Sequence, residues 1–359
     1  MSGENPLSGG AASQGHRKTE PRAVIYGCAG PSLTPGEAWF FEQADPWGFI
    51  LFQRNCRTRA QVRALVDELR ATVGRPDAPV LIDQEGGRVA RLKPPEWQAL
   101  PAAGAIGALY RQNGDLAREA LSLHSRLLAS ELAALGVTVD CVPVADVPAP
   151  DGHGIIGDRA YGDSVDIVSG MARLCAEELM ADGVLPVLKH MPGHGRARAD
   201  SHLELPVVDA PRAELEKVDF QAFRSLNDLP LGMTAHVVYS DIDPDAPATL
   251  SPRVIKEIIR GFIGFDGLLM TDDFSMHALQ GPFHERASRA LEAGCDVILH
   301  CNGHMDEMAE IAAATPPLGR EAARRADAAL ARIRHARPRP FDVAAGHARL
   351  AVILDEGAA

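Results

Sequence analysis

The stretch V-L-P-V-L-K-H, Val184 to His190, decides the fold. It is a short apolar run of strand length that ends abruptly on a lysine and a histidine. Runs of the same kind recur at R-A-V-I-Y-G (from Arg22), G-F-I-L-F (Gly48), P-V-L-I-D (Pro79), V-T-V-D (Val137), L-G-M-T-A-H (Leu231), G-L-L-M-T-D-D (Gly267) and C-D-V-I-L-H (Cys295), which makes eight. Between them, apolar residues at three- and four-residue spacing predict helices over Arg59 to Thr72, Leu116 to Leu135, Val165 to Ala181 and Pro252 to Arg260. Thr58 and Ser251 fit as N-caps, and Pro252 suits a first helical position. Eight strands alternating with helices predict an α/β chain folded as a single (β/α)8 TIM barrel.

Polar and ionisable residues gather where the runs end: Gln53, Arg54 and Asn55; Asp83, Gln84 and Glu85; Lys189 and His190; His236; Asp272 and Asp273; His300 and Asn302. In this fold the C-terminal ends of the strands build the active site, so composition alone tells the two ends of the barrel apart. The expected layout is a flexible polar tail over residues 1–20, the barrel over 21–337 and a C-terminal segment over 338–359 packed on the barrel.

The chain has 359 residues, 46% hydrophobic and 23% charged, with a formal charge of -12. That balance argues against nucleic acid or an anionic membrane as a partner. Six cysteines lie scattered with no C-x-x-C pair, the usage of buried thiols in a reducing compartment. No run reaches membrane-spanning length, and the first twenty residues lack an apolar signal core. A cytoplasmic monomer is expected.

K-H-M-P-G-H-G-R-A-R-A-D-S-H, Lys189 to His202, crowds titratable groups and glycines into what reads as a positioned working loop. His190, His194 and His202 with Asp200 could hold a catalytic metal, the reading of a metal-dependent hydrolase. Alternatively Asp200 could orient and charge His202 for acid and base work. Pro192 and Gly193 break the helix face that would align His190 with His194, which weakens the metal reading. Of the adjacent acids Asp272 and Asp273, strand alternation lets only one face a substrate. Gly86-Gly87 permits a sharp turn that returns Arg88 or Arg91 over the pocket behind Asp83. G-H-G-I-I-G at Gly152 matches a dinucleotide fingerprint but lacks the preceding strand and the following helix, so it carries no such function.

Four separated pieces, I-D-Q-E-G-G-R-V-A-R-L, G-D-R-A-Y-G-D, K-H-M-P-G-H-G with A-D-S-H, and T-D-D-F-S-M, resemble the glycoside hydrolase family 3 β-N-acetylglucosaminidases, in particular the single-domain bacterial enzymes of peptidoglycan recycling. The likeness runs from about Val24 to Cys301 and takes in H-V-V-Y-S-D-I-D-P and A-G-C-D. It implies a retaining glycosidase in which Asp272 is the nucleophile and His202 the acid and base, with Asp200 as its partner. It further implies substrate contacts at Asp83, Arg91, Arg159, Lys189 and His190, no cofactor or resident metal, and an N-acetylglucosaminyl muropeptide or related small glycan as substrate. Met191 stands where the family commonly has an aromatic residue and Phe274 where it commonly has leucine.

Overall fold

Alternation along R-A-V-I-Y-G sends Ala23 and Ile25 to one side and Val24 and Tyr26 to the other, both apolar, so this strand must be covered on both faces. The computed structural model, which describes residues 20–150, 152, 154–199, 201 and 204–358, shows how. Its strands are β1 (Arg22–Gly27), β2 (Pro46–Leu51), β3 (Val80–Ile82), β4 (Val139–Asp140), β5 (Leu185–Met191), β6 (Val207–Val208), β7 (Leu231–Thr234), β8 (Val238–Tyr239), β9 (Leu268–Asp273) and β10 (Val297–His300). All but β6 and β8 close into one barrel in the order β1-β10-β9-β7-β5-β4-β3-β2, every pair parallel. The eight apolar runs of the sequence are the eight barrel strands. β10 closes the ring on β1 with Val24 opposite Ile298. β6 and β8 pair with each other outside it.

The pleat divides the apolar side chains into two cores. Ile25, Leu81, Leu185, Val187, Leu231, Leu268, Met270 and Val297 fill the barrel interior. Tyr26, Phe49, Ile82, Leu188, Leu269 and Ile298 pack outward against the helices. Leu318, Ala326 and Ala329 join the inner core, so the helix Arg320–Ala331 stops the barrel at the end where its strands begin. Ala23 N–H to Pro316 O (2.9 Å) and Leu318 N–H to Pro21 O (2.8 Å) tie that stopper to β1.

The helices Arg59–Thr72 and Val165–Ala181 have the bounds their periodicity predicts, and the third begins at Gly114, two residues before Leu116, on an Asn113 cap. Thr58 accepts the N–H of Gln61 at 3.2 Å and Ser251 that of Val254 at 3.0 Å. The helix after Ser251 runs on to Phe262 and is wound as a π-helix, which a 3.6-residue pattern cannot announce. At the C-terminus, the helix Val343–Ala358 buries Leu350 and Ile353 against the helices Ala103–Tyr110 and Gly114–Leu135. Arg349 pairs with Glu119 at 2.7 Å beside that seam, and Arg126 lies over the Phe341 ring.

All six cysteines are free and five are buried. Burial pushes the thiols up, to about 11 for Cys175 and about 12 for Cys28 and Cys56, so they are unreactive near neutrality. No helix among the described residues is long and apolar enough to cross a membrane. The tail over residues 1–19 lies outside the described residues, as do Asp200 and His202.

Candidate active site

Period-two alternation carries the inward face of three strands into charged groups at the barrel mouth. Asp83 lies two residues beyond Leu81, Lys189 two beyond Val187 and Asp272 two beyond Met270; each of the apolar three belongs to the inner core. The loop after β3 folds back because Gly86 (φ 92°) and Gly87 (φ 57°) adopt left-handed conformations against Pro101 and Ala102, where any Cβ would collide. Gln84 Oε1 receives the N–H groups of Arg91 (2.8 Å) and Leu92 (3.0 Å), fixing the return. Arg91 then reaches Asp83 at 3.0 Å, with its guanidinium 4.7 Å from the centre of the Phe52 ring.

These groups form a chain of ion pairs. Lys189, only 2% exposed, donates to Asp83 and is paired with Glu85, both at 2.8 Å. Arg159 grips Glu85 with two bonds, at 2.7 and 2.8 Å. Burial alone would push both carboxyls up. The adjacent Lys189 outweighs it, helped by Arg91 at Asp83 and Arg159 at Glu85, and holds Glu85 at about 2 and Asp83 far below the usual carboxylate range. Burial would likewise pull Lys189 down, yet Asp83 and Glu85 hold it above its ordinary value. The network is ionised across the physiological range.

A second buried carboxylate organises the histidines. Asp146, fully buried, bonds His190 Nδ1 at 2.7 Å and accepts the backbone N–H of His194 at 2.6 Å. The Nδ1 of His190 is therefore the protonated nitrogen, and Nε2 lies 3.5 Å from Arg159. The peptide between Lys189 and His190 is cis, as is that between Met191 and Pro192. His194 is pushed down to about 4 by burial and by neighbouring His190, and its Nε2 lies 3.3 Å from Ser201 Oγ.

Both acids of T-D-D border the cavity, but their carboxylates have different partners. Asp272 faces the cavity, with its Oδ1 accepting the N–H of Asp273 at 2.8 Å. The carboxylate of Asp273 is occupied by Ser275 and by the N–H of Cys301 (3.0 Å). Asp272 and the five expected substrate contacts Asp83, Arg91, Arg159, Lys189 and His190 all line one cavity of about 250 Å³, closed on its apolar side by Phe52, Ile156, Met233, Met276 and Leu299. That is less than the roughly 300–1,000 Å³ of pockets for drug-sized ligands, and suits one sugar ring more than a chain.

The structure adds one acid and gives another its partners. Glu85 was expected only as one of the polar residues closing the third run, without a role, and Asp146, in V-P-V-A-D-V-P, lies past the strand end that V-T-V-D suggests. The rule that found Asp83, an acid closing an apolar run, would have found Asp146 had the run been read through Pro143. Among the described residues no group of three or more His, Cys, Asp or Glu side chains is arranged to hold a metal ion.

The glycosyl hydrolase family 3 N terminal domain matches residues 44–336, most of the barrel. The chain belongs to glycoside hydrolase family 3. Among family relatives, a β-hexosaminidase of Alkalilimnicola ehrlichii is 40% identical over 286 residues, 78% of this chain and 80% of that protein. Another, of Bordetella avium, is 36% identical over 303 residues, 83% and 86% of the two chains. The solved NagZ of Neisseria gonorrhoeae, in complex with N-trifluoroacetyl-D-glucosamine, superposes with a TM-score of 0.81 at 30% identity, covering 94% of this chain and 99% of that one. This family 3 member is an enzyme, a glycoside hydrolase of the β-N-acetylhexosaminidase type.

Proposed function

We propose that the enzyme is a retaining exo-β-N-acetylglucosaminidase that releases terminal β-linked N-acetylglucosamine from peptidoglycan-derived fragments. The observation that carries the reading is Asp272, an inward carboxylate at the end of β9, facing a one-ring cavity whose opposite wall is the ionised network of Asp83, Lys189, Glu85 and Arg159. Asp272 attacks the anomeric carbon, the bond to the leaving oxygen breaks, and a glycosyl-aspartate forms. His202 gives its proton to the leaving oxygen, then takes one from the water that hydrolyses the ester; two inversions give net retention. Asp200 stabilises the imidazolium. Lys189, Arg159 and Asp83 bind ring hydroxyls or the acetamido group, and Arg91 holds Asp83.

The state of the other carboxyls supports a histidine as acid. Glu85 at about 2 and Asp83 lower still have no proton to give near neutral pH, and Asp273 is taken by backbone and hydroxyl donors. The substrate, a small glycan such as an N-acetylglucosaminyl muropeptide, follows from the family resemblance together with the cavity's size.

Hydrolysis of p-nitrophenyl β-N-acetylglucosaminide by wild type, Asp272→Ala and His202→Ala, with and without chelator, tests this. The expected result is abolition in Asp272→Ala, a loss of about 10²–10⁴-fold in His202→Ala that azide restores as the β-glycosyl azide, and indifference to chelator. Activity that survives Asp272→Ala but disappears with chelator would return the histidines to a metal-dependent hydrolase. Azide rescue of His190→Ala in place of His202→Ala would move the acid to the His190 and Asp146 pair.

A further inference from the structure

His236 ends the run L-G-M-T-A-H, is fully buried and does not line the cavity, so the mechanism above leaves it without a task. A buried imidazole costs about 1–3 kcal/mol if its nitrogens are unmet, and an apolar side chain would avoid that cost. Here both are met. Nε2 lies 3.1 Å from the carbonyl oxygen of Asp273 and Nδ1 lies 2.7 Å from Thr249 Oγ1. A carbonyl only accepts, which makes Nε2 the donor. Thr249 Oγ1 in turn lies 2.8 Å from Thr234 Oγ1 and 3.1 Å from the Ala235 carbonyl; with Nε2 donating from a neutral ring, Nδ1 accepts the Thr249 proton and Thr249 can accept that of Thr234. The ring is thereby fixed between β7, which bears Thr234, and the end of β9.

Residue 273 is the handle on Asp272. Its N–H donates to Asp272 Oδ1 at 2.8 Å, its carboxylate accepts the N–H of Cys301 at 3.0 Å, and the next N–H, of Phe274, donates to Leu299 O at 2.9 Å. β10 holds residue 273 from one side through those bonds. His236 holds it from the other. We propose that His236 is a positioning residue for the nucleophile: by clamping the Asp273 carbonyl it sets the direction of the Asp273 N–H and so the plane of the Asp272 carboxylate. Burial keeps the imidazole below its ordinary value against the pull of the Asp272 charge, consistent with a neutral ring donating through Nε2.

The proposal rests on Asp272 as nucleophile, and its test separates the two. With 2,4-dinitrophenyl β-N-acetylglucosaminide, whose leaving group needs no acid, the single-turnover rate of glycosyl-enzyme formation reports placement of the carboxylate. Glutamine keeps an N–H where Nε2 is; asparagine reaches Thr249 but falls short of the Asp273 carbonyl; leucine does neither. His236→Leu and His236→Asn should slow that rate by about ten- to a hundredfold, the scale of a misplaced reacting group. His236→Gln should recover most of it. Affinity for free N-acetylglucosamine, measured by calorimetry, should stay near wild type in all three, which a collapsed site would not allow. If His236→Leu fails to fold, the contrast between asparagine and glutamine carries the test. Equal rates in the asparagine and glutamine variants, or product affinity lost in step with rate, would overturn the proposal. A wild type no faster than Asp272→Ala would instead overturn the nucleophile on which it rests.

Discussion

Lys189 keeps an ammonium ion at the bottom of the cavity with almost no exposure, and its neighbours are those such a charge requires. Removing one partner leaves buried charge uncompensated, so Asp83→Ala should cost on the order of 3–5 kcal/mol in stability as well as kcat/KM. Thermal unfolding beside steady-state kinetics checks both. Glu85 gives a pH signature. Its folded value, about 2, lies below the ordinary 4.5, so its contribution is fully present above about 4.5 and is lost as pH falls toward 2. The Tm of wild type should fall through that window, and Glu85→Gln should start lower at pH 7 and fall less steeply. Asp83, Lys189 and Asp272 were legible because each closes an apolar run in phase with its inward face. Glu85 was legible only as one of the polar residues that close the third run, and Asp146 was not, since it lies past the strand end that V-T-V-D suggests.

At the scale of the element, the loop after β5 is where sequence and structure differ in reason. Its glycines read as marks of a working loop, which can suggest motion. Instead, the described part is tied down. Gly195 accepts the N–H of Ala149 at 3.0 Å, Tyr239 donates to the Gly193 carbonyl, and Arg196 pairs with Asp219 at 2.7 Å. A Cβ on Gly195 would overlap the Val147 carbonyl oxygen, so the glycine is there for close approach of two backbones. Gly195→Ala should lower Tm and reduce kcat while leaving the affinity for N-acetylglucosamine largely intact; a variant with wild-type kcat would refute that dependence. The C-terminal segment was expected to pack on the barrel, and the partners of the helix Val343–Ala358 became visible only through Leu350 and Ile353. Ile353→Ala should cost about 2–5 kcal/mol, measurable by urea unfolding, with kcat unchanged because the seam is remote from the cavity.

At the scale of the whole molecule, the barrel was readable because each strand and helix pair is a local pattern repeated eight times, and the count implies closure. What joins distant parts was not readable: the stopper helix Arg320–Ala331, the β6 and β8 pair, and the network linking Asp83 to Arg159 are set by three-dimensional register that no window of sequence contains. Closure of the ring on β10 has a consequence during synthesis. β1 emerges from the ribosome early, yet one of its two edges waits for a partner about 270 residues later. At roughly 5–20 residues per second that is on the order of tens of seconds. A nascent chain stalled before residue 297 thus presents an unfilled strand edge and an unplugged barrel floor, the kind of surface that invites mispairing, whereas emergence of the segment through the helix Arg320–Ala331 lets both gaps close together.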